Sequence, residues 1–307
     1  MSKFFTLFVS LFVWGSLLAQ ANRPEFYLDY RIDNDALYYP RKTDRYFTSG
    51  MRLRLGRVID APSHLRPLGT MRCERYWTVT QHIYTPEDIT SVSTEVRDRP
   101  FASFLTADYG RGWFDETLGV GVTRKFTVGV LGRFSGGGRL QNAFHQAVKY
   151  ADVVPGWTNE VRPDVVLNYE VALDRTLLRS RHATLTTRAT GRLGTLFTNA
   201  AIGTHFSWLP FGATRSHGFA LRAGGGLRAV AYDATLTGGL FNRDDRYRGV
   251  VQPRPVVARG DVDARLWLGN IELSAGVRYL TPEFTGGGHH AWAFLGGRVW
   301  PSRTPRR

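Results

Sequence analysis

The chain of 307 residues contains only one cysteine, Cys73, and three methionines. A single cysteine cannot form an intramolecular disulfide, so the fold has to be stabilised without one. After residue 21 the sequence also has no run of ~20 apolar residues, the length that a membrane-spanning helix requires. These absences exclude a disulfide-rich secreted domain and a helical membrane protein.

The first residues are typical of a secretory signal. Lys3 precedes an apolar run from Phe4 to Leu18, and small residues follow at Ala19 and Ala21. We therefore predict a signal peptide at residues 1–21 and one exported domain at residues 22–307.

Acidic residues are scarce relative to basic ones, since 26 Asp and Glu stand against 40 Lys and Arg, for a net charge of +14. Such a charge favours anionic partners. Export argues against nucleic acid, and the arginines are dispersed along the chain rather than gathered in one patch. An anionic lipid surface is the partner class that we expect.

Alternating apolar and polar residues recur along most of the chain, which is the period of a β-strand. We predict twelve strands, at about 24–33, 45–57, 72–82, 102–110, 116–131, 163–175, 181–194, 197–209, 216–233, 258–269, 270–280 and 289–300. Charged side chains occupy one face of each strand. A soluble sandwich has the same periodicity, but aromatic residues near the strand ends favour a membrane barrel: Trp77, Trp113, Trp208, Trp267, Tyr279 and Trp300. The prediction is an all-β protein, a twelve-stranded antiparallel transmembrane β-barrel.

The long connections follow odd-numbered strands and therefore share one end of the barrel, which we expect to face the cell exterior. The gap at 58–71 is an exception, because it is long for a turn at the opposite end. The third long connection contains a predicted helix at 139–152. One face of that helix carries Gln141, His145 and Asp152, and we expect the adjoining stripe of apolar residues to pack against the wall: Leu140, Phe144, Ala147, Val148 and Ala151.

Several short motifs in the first three long connections occur in a specific order. They are ND at 34–35, TDRYFTSG at 43–50, QHIYTPED at 81–88, DRPFA at 98–102, SGG at 135–137, QNAFH at 141–145 and PGW at 155–157. Together they resemble the LpxR family of outer-membrane lipid A 3'-O-deacylases. The resemblance implies a hydrolase of the outer membrane that acts on lipid A of lipopolysaccharide.

The resemblance also implies roles for individual residues. His145 is the expected general base that activates water, with Asn34, Thr48 and Gln141 at the other active-site positions. Calcium is the implied cofactor, and its expected carboxylate ligands are Asp35 and Asp152.

Substrate phosphate would be contacted by the basic residues of the second long connection, Arg97 and Arg99. We expect the protein to act as a monomer in the outer membrane, with its active site facing the exterior. His82, His289 and His290 are interpreted as interfacial or loop residues.

Two other interpretations remain open at this point. A non-catalytic barrel, either a porin or a surface-binding protein, could use the same scaffold. An outer-membrane phospholipase would need a serine nucleophile, but neither Ser49 nor Ser135 lies in a G-x-S-x-G context.

Overall fold

In the computed structural model, the described residues are 25–38, 45–62, 70–90, 98–148, 153–212 and 217–301. They form a closed barrel of twelve antiparallel strands in which each strand pairs with its sequence neighbours and β1 pairs with β12. The strands are β1 Glu25–Asn34, β2 Tyr46–Pro62, β3 Thr70–Thr85, β4 Ala102–Asp115, β5 Val120–Leu131, β6 Asp164–Arg179, β7 Ala183–Gly194, β8 Phe197–Trp208, β9 His217–Asp233, β10 Val256–Leu268, β11 Ile271–Leu280 and β12 His290–Val299. The predicted fold class is confirmed.

The predicted signal peptide lies outside the described residues. Within the described ranges, no helix has both the length and the hydropathy that crossing a membrane would require. The two α-helices there are α1, Gly137–Val148, and α2, Ala234–Thr237. Helix α1 begins two residues before the predicted helix.

The anomalous gap at 58–71 is explained by longer strands. β2 continues to Pro62 and β3 begins at Thr70, and these two residues pair with each other. The sequence prediction ended β2 five residues too early and began β3 two residues too late, so the connection is shorter than it had indicated. At the same end of the barrel, β10 and β11 are joined by only two residues, where Gly269 adopts the positive φ of +62° that such a turn needs.

Alternation along each strand separates an apolar outer face from a charged inner face. On β2, Leu53 and Leu55 are exposed on the outer face, and the intervening Arg54 donates a hydrogen bond to Thr78 of β3. The inner face is rich in ion pairs; for example, Asp29 accepts bonds from Arg52 at 2.9 Å and from Arg298 at 3.0 Å. Pairing compensates the cost of placing these charges in a confined lumen.

The longer connections meet at one end of the barrel, called here the long-loop end. An apolar cluster fills the inner wall at that end and includes residues from three loops, such as Val161, Leu236 and Phe284. The loops are therefore packed into the mouth of the barrel, and this packing fixes the segment that carries helix α1.

Candidate active site on the outer face of the barrel wall

The outer face of β1 to β4 carries a row of small and polar side chains at the long-loop end. Strand register places Asn34 opposite Ser49, and Ser49 opposite Ile83. Ile83 is in turn opposite Ser103 of β4. Paired residues in an antiparallel sheet share a face, so these four side chains lie on the same side of the wall.

That side is the outside of the barrel. On β3, Trp77 and Val79 are 62% and 51% exposed, and Ile83 follows them at even spacing. Ile83 nevertheless has only 2% of its surface exposed, and its partner Ser103 has none. Something outside the wall must therefore cover them.

The cover is helix α1, which contacts β3 and β4. A Cβ atom on Gly137 would lie 2.3 Å from Ser103 Cβ and 3.3 Å from Ile83 Cγ1. Only glycine permits this approach, so the Gly-rich entry to the helix lets its backbone rest directly on the wall.

The buried face of α1 is its polar face. Gln141 and His145 are 5% and 3% exposed, whereas Leu140 and Phe144 are 37% and 55% exposed. The prediction that the apolar stripe packs against the wall is therefore wrong. The pattern was identified correctly, but the packed surface is the polar one, and it includes both predicted catalytic residues of the helix.

Gln141 is held by the segment that follows the helix. Its Oε1 accepts a hydrogen bond from Trp157 Nε1 at 2.9 Å, and Trp157 belongs to the predicted Pro-Gly-Trp element. Gln141 Nε2 is buried and has no hydrogen-bond partner within the described ranges. This amide donor is therefore available to a ligand at the site.

Thr48 reaches the same outer face through a β-bulge. The register between β2 and β3 shifts between Phe47 and Ser49, so Thr48 is an extra residue on its strand. Its Oγ1 lies 2.6 Å from Oγ1 of Thr85, which follows Ile83 at even spacing on β3. Bulges often redirect a side chain near an active site, and here the bulge turns Thr48 outward.

Asn34 and Asp35 lie where β1 ends. Asn34 caps the 3-10 helix Asp35–Leu37, and its Oδ1 accepts a bond from Ala36 N at 2.8 Å. Asp35 is 1% exposed, and its Oδ1 also lies 2.8 Å from Ala36 N. Asn34 and Thr48 thus occupy neighbouring strands on the same outer face, with Asp35 directly after Asn34.

A second group of residues, which sequence reasoning missed, anchors the helix segment to the wall. Ser103 donates a hydrogen bond to Glu160, and its Oγ is 2.5 Å from Ser135 Oγ. Gln81 Nε2 donates to the Ser135 carbonyl at 2.7 Å. In the sequence, Glu160 looks like any exposed loop carboxylate, because no local pattern reveals that it meets β4.

Burial raises the pKa of Glu160 to about 7, although hydrogen bonds from Ser103 oppose the shift. The anchor therefore contains a carboxylate that changes charge near neutral pH.

Arg99, one of the two arginines predicted to contact a substrate phosphate, already has partners within the protein. Arg99 is 2% exposed, and its guanidinium bonds to Glu283 at 2.9 Å and to Thr235 at 2.7 Å. These contacts place it within the loop packing of the long-loop end and do not support a role toward a substrate phosphate. Arg97 lies outside the described residues.

Of the three histidines interpreted from the sequence as interfacial or loop residues, two face the lumen instead. His82 packs among rings of the inner wall, with its centroid 4.8 Å from that of Phe104. His290 is 6% exposed and stacks on Trp292. His289 does lie in a loop, stacked on Tyr279.

The described residues contain no group of three or more His, Cys, Asp and Glu side chains arranged to hold a metal ion. Asp152, the second predicted calcium ligand, lies outside them. The donors that are described, from Asn34, Asp35 and Thr48, are all oxygens, the ligand type that calcium takes. The chemistry of this donor set fits calcium, and Asp35 is the carboxylate among the three.

Comparisons with known proteins identify a family and a fold. A family model described as "Outer membrane protein LpxR" matches residues 4–298. Among solved structures, LpxR from Salmonella typhimurium is similar at 18% identity and a TM-score of 0.73, covering 89% of this chain and 99% of that one. The β domain of the Bordetella autotransporter BrkA has 9% identity and a TM-score of 0.49, covering 90% of this chain and 99% of that one. No curated protein sequence matches the chain.

Proposed function

The chain belongs to the LpxR family of outer-membrane proteins, and from this premise we propose that it is a calcium-dependent hydrolase of lipid A. The reaction removes the 3'-linked acyl or acyloxyacyl group of lipopolysaccharide in the outer leaflet. The long-loop end of the barrel faces the cell exterior in this proposal, and the protein acts as a monomer.

One observation carries the proposal: the buried polar site lies on the outer face of the wall. Trp77 and Val79 of β3 are exposed on the same face, six and four residues before the covered Ile83. A lipid in the surrounding leaflet can approach this face from the side. A site for a water-soluble ligand would instead be expected in the lumen or on the loops.

His145 is the general base in this mechanism. Its imidazole takes a proton from water, and the water oxygen forms a bond to the ester carbonyl carbon. The bond between that carbon and the sugar's 3' oxygen then breaks, and the imidazolium returns its proton to the leaving oxygen. The products are a fatty acid and a lipid A with a free 3' hydroxyl.

Gln141 supports the charge that develops on the carbonyl oxygen. Its Nε2 is a buried donor without a hydrogen-bond partner in the described ranges, while its Oε1 is fixed by Trp157. A positioned donor of this kind stabilises an oxyanion without having to reorganise.

Asp35 and Asp152 would hold calcium, with oxygen donors from Asn34 or Thr48. When bound, the ion supplies positive charge near the ester carbonyl. In this proposal, phosphate binding depends on Arg97 and on other surface arginines, because the guanidinium of Arg99 already has partners.

The alternative of a non-catalytic barrel is less well supported. A porin needs an open lumen, whereas the long-loop end contains a cluster of buried aromatic side chains, including Phe47, Tyr84 and Trp292. A serine mechanism also lacks support, since Ser135 bonds to Ser103, which in turn bonds to Glu160 rather than to a histidine.

The proposal is tested by mass spectrometry of lipid A from cells that express the protein. We expect loss of the 3'-linked group with the wild-type chain, and intact lipid A with the His145→Ala variant or after calcium chelation. Calcium should restore activity to the chelated wild-type protein. Heat modifiability on a gel serves as the control that each barrel is folded, and intact lipid A with the folded, calcium-loaded wild-type protein would refute the proposal.

A further inference from the structure

Helix α1 has the opposite amphipathicity to a helix that packs on a soluble core. Its polar residues Gln141 and His145 are buried against the wall, and its large apolar residues Leu140 and Phe144 are exposed. Phe134, just before the helix, is 67% exposed. In water, this arrangement would leave an uncompensated apolar surface.

The helix has three flanks rather than two. At about 100° per residue, Gln141 and His145 share the flank that faces the wall. Leu140, Phe144 and Ala147 fall within ~60° of one another on a second flank. Arg139 and Gln146 lie within ~20° of each other on a third, about 140° and 160° from Phe144, and both are exposed.

The wall on which the helix rests also carries an exposed apolar surface. The outer face of β3 and β4 beside the helix carries the exposed Val79 and Leu105, which belong to the apolar belt of the barrel. A helix with one apolar and one basic or polar flank is typical of a segment that lies in the plane of a membrane interface.

We infer that α1 is embedded in the interfacial region of the leaflet around the long-loop end. Leu140, Phe144 and Phe134 contact acyl chains, and the exposed Arg133 and Arg139 lie at the level of the lipid phosphates. The site beneath the helix then opens within the leaflet rather than above it. The inference depends on the position of the helix on a membrane barrel and not on the chemistry of His145.

Fluorescent labels on single cysteines test the inference directly. In a Cys73→Ala background, Phe144→Cys and Gln146→Cys place a label on the apolar flank and on the polar flank of the same helix. The folded variants are reconstituted in vesicles of phosphatidylcholine and phosphatidylglycerol, with or without brominated acyl chains. Both positions are exposed, so neither label has to enter a packed region.

We expect brominated lipid to quench the label at position 144 at least about twofold more than the label at position 146, and aqueous iodide to show the reverse order. A label at Leu140→Cys should behave like the one at 144. Equal quenching at the two flanks, or stronger iodide quenching at 144, would overturn the inference. Loss of lipid A hydrolysis in His145→Ala has no bearing on these readings, so this test and the test of the hydrolase proposal fail independently.

Discussion

The two faces of the barrel wall differ in how they satisfy polar groups at the long-loop end. On the inner face, Glu283 accepts bonds from both Arg99 and Arg228, at 2.9 and 2.7 Å. On the outer face, Gln141 Nε2 is buried without a hydrogen-bond partner in the described part of the chain. Satisfied networks stabilise a fold, whereas an unsatisfied buried donor costs stability and is retained where a ligand can use it. Arg99 Nε and both ring nitrogens of His290, on the inner side, are also buried without a hydrogen-bond partner in the described part of the chain, so the contrast holds for these two groups and not for the whole of each face. Glu283, with two cations, stabilises the fold, whereas Gln141 Nε2 is a donor placed for binding.

The largest expected effect on lipid A hydrolysis distinguishes the substitution of two buried histidines, one on each face of the barrel wall. His145→Ala should lower lipid A hydrolysis about 10²- to 10⁴-fold, because it removes the general base. His290→Ala should leave the rate nearly unchanged but lower the unfolding temperature, since that ring packs on Trp292 and Tyr46. Hydrolysis rates and heat modifiability of both variants check this pair. Similar loss of activity in the two variants, with equal stability, would contradict the assignment of His145 to hydrolysis and of His290 to stability.

Arg99→Ala should be the most destabilising of the substitutions considered. It leaves Glu283 buried with one fewer cation, and breaking such a pair costs about 3–5 kcal/mol of unfolding free energy. Burial opposes ionisation of Glu283, but Arg99 and Arg228 hold its pKa at about 2. Because the pKa of Glu283 is lower in the folded protein than the unfolded value of about 4.3, its ionisation stabilises the folded state above that pH. This stabilisation is lost as the pH falls toward 2, so the destabilisation caused by Arg99→Ala should be complete at neutral pH.

Denaturant unfolding in detergent measures the Arg99 effect, with Arg139→Ala as the exposed arginine control. If Arg99→Ala kept full stability and lost only activity, the substrate role predicted from the sequence would be supported instead.

Glu160→Gln should change how stability depends on pH. Because burial raises the folded pKa of Glu160 to about 7, the wild-type protein loses stability as pH rises from the unfolded value of about 4.3 through 7. The loss is on the order of 3 kcal/mol at pH 8, and the glutamine variant should not show it. Unfolding at pH 5 and pH 8 provides the measurement, and an unchanged pH dependence in the variant would show that Glu160 is not the group responsible.

Thr85→Val should have the smallest effect, about 0.5–1.5 kcal/mol for one hydrogen bond, with a modest loss of activity because Thr48 loses a partner. Thr187 and Thr204 form a similar hydroxyl pair between β7 and β8, at 3.1 Å. Thr187→Val is therefore the matched control, and it should cost similar stability without affecting the rate. If Thr187→Val reduced hydrolysis as much as Thr85→Val, the effect would be structural rather than local to the site.

Much of the fold is predictable from the sequence, because a strand that faces lipid on one side and a charged lumen on the other has a clear period of two. The number of strands and most of their ends follow from that period. The ends of β2 and β3 were missed because the paired extension near Pro62 and Thr70 lies in a segment without clear alternation.

The site was predictable only in part. The motifs located His145 and Gln141 on a helix, but the sequence cannot tell which face of that helix packs when its surroundings include lipid. Arg99 and Glu160 show a second limit, since their partners are Glu283 and Ser103, which are far away in the sequence. Such long-range pairs are set by the closure of the barrel and leave no local pattern.

The bulge at Thr48 has a consequence for the density of functional groups on the wall. A regular strand presents a side chain to one face only at every second residue, ~7 Å apart. The extra residue lets Thr48 and Ser49 face outward in succession, while Phe47 and Gly50 on either side remain turned to the lumen. Two adjacent hydroxyls can then serve a single small ligand, a spacing that an unbroken β-ladder cannot offer.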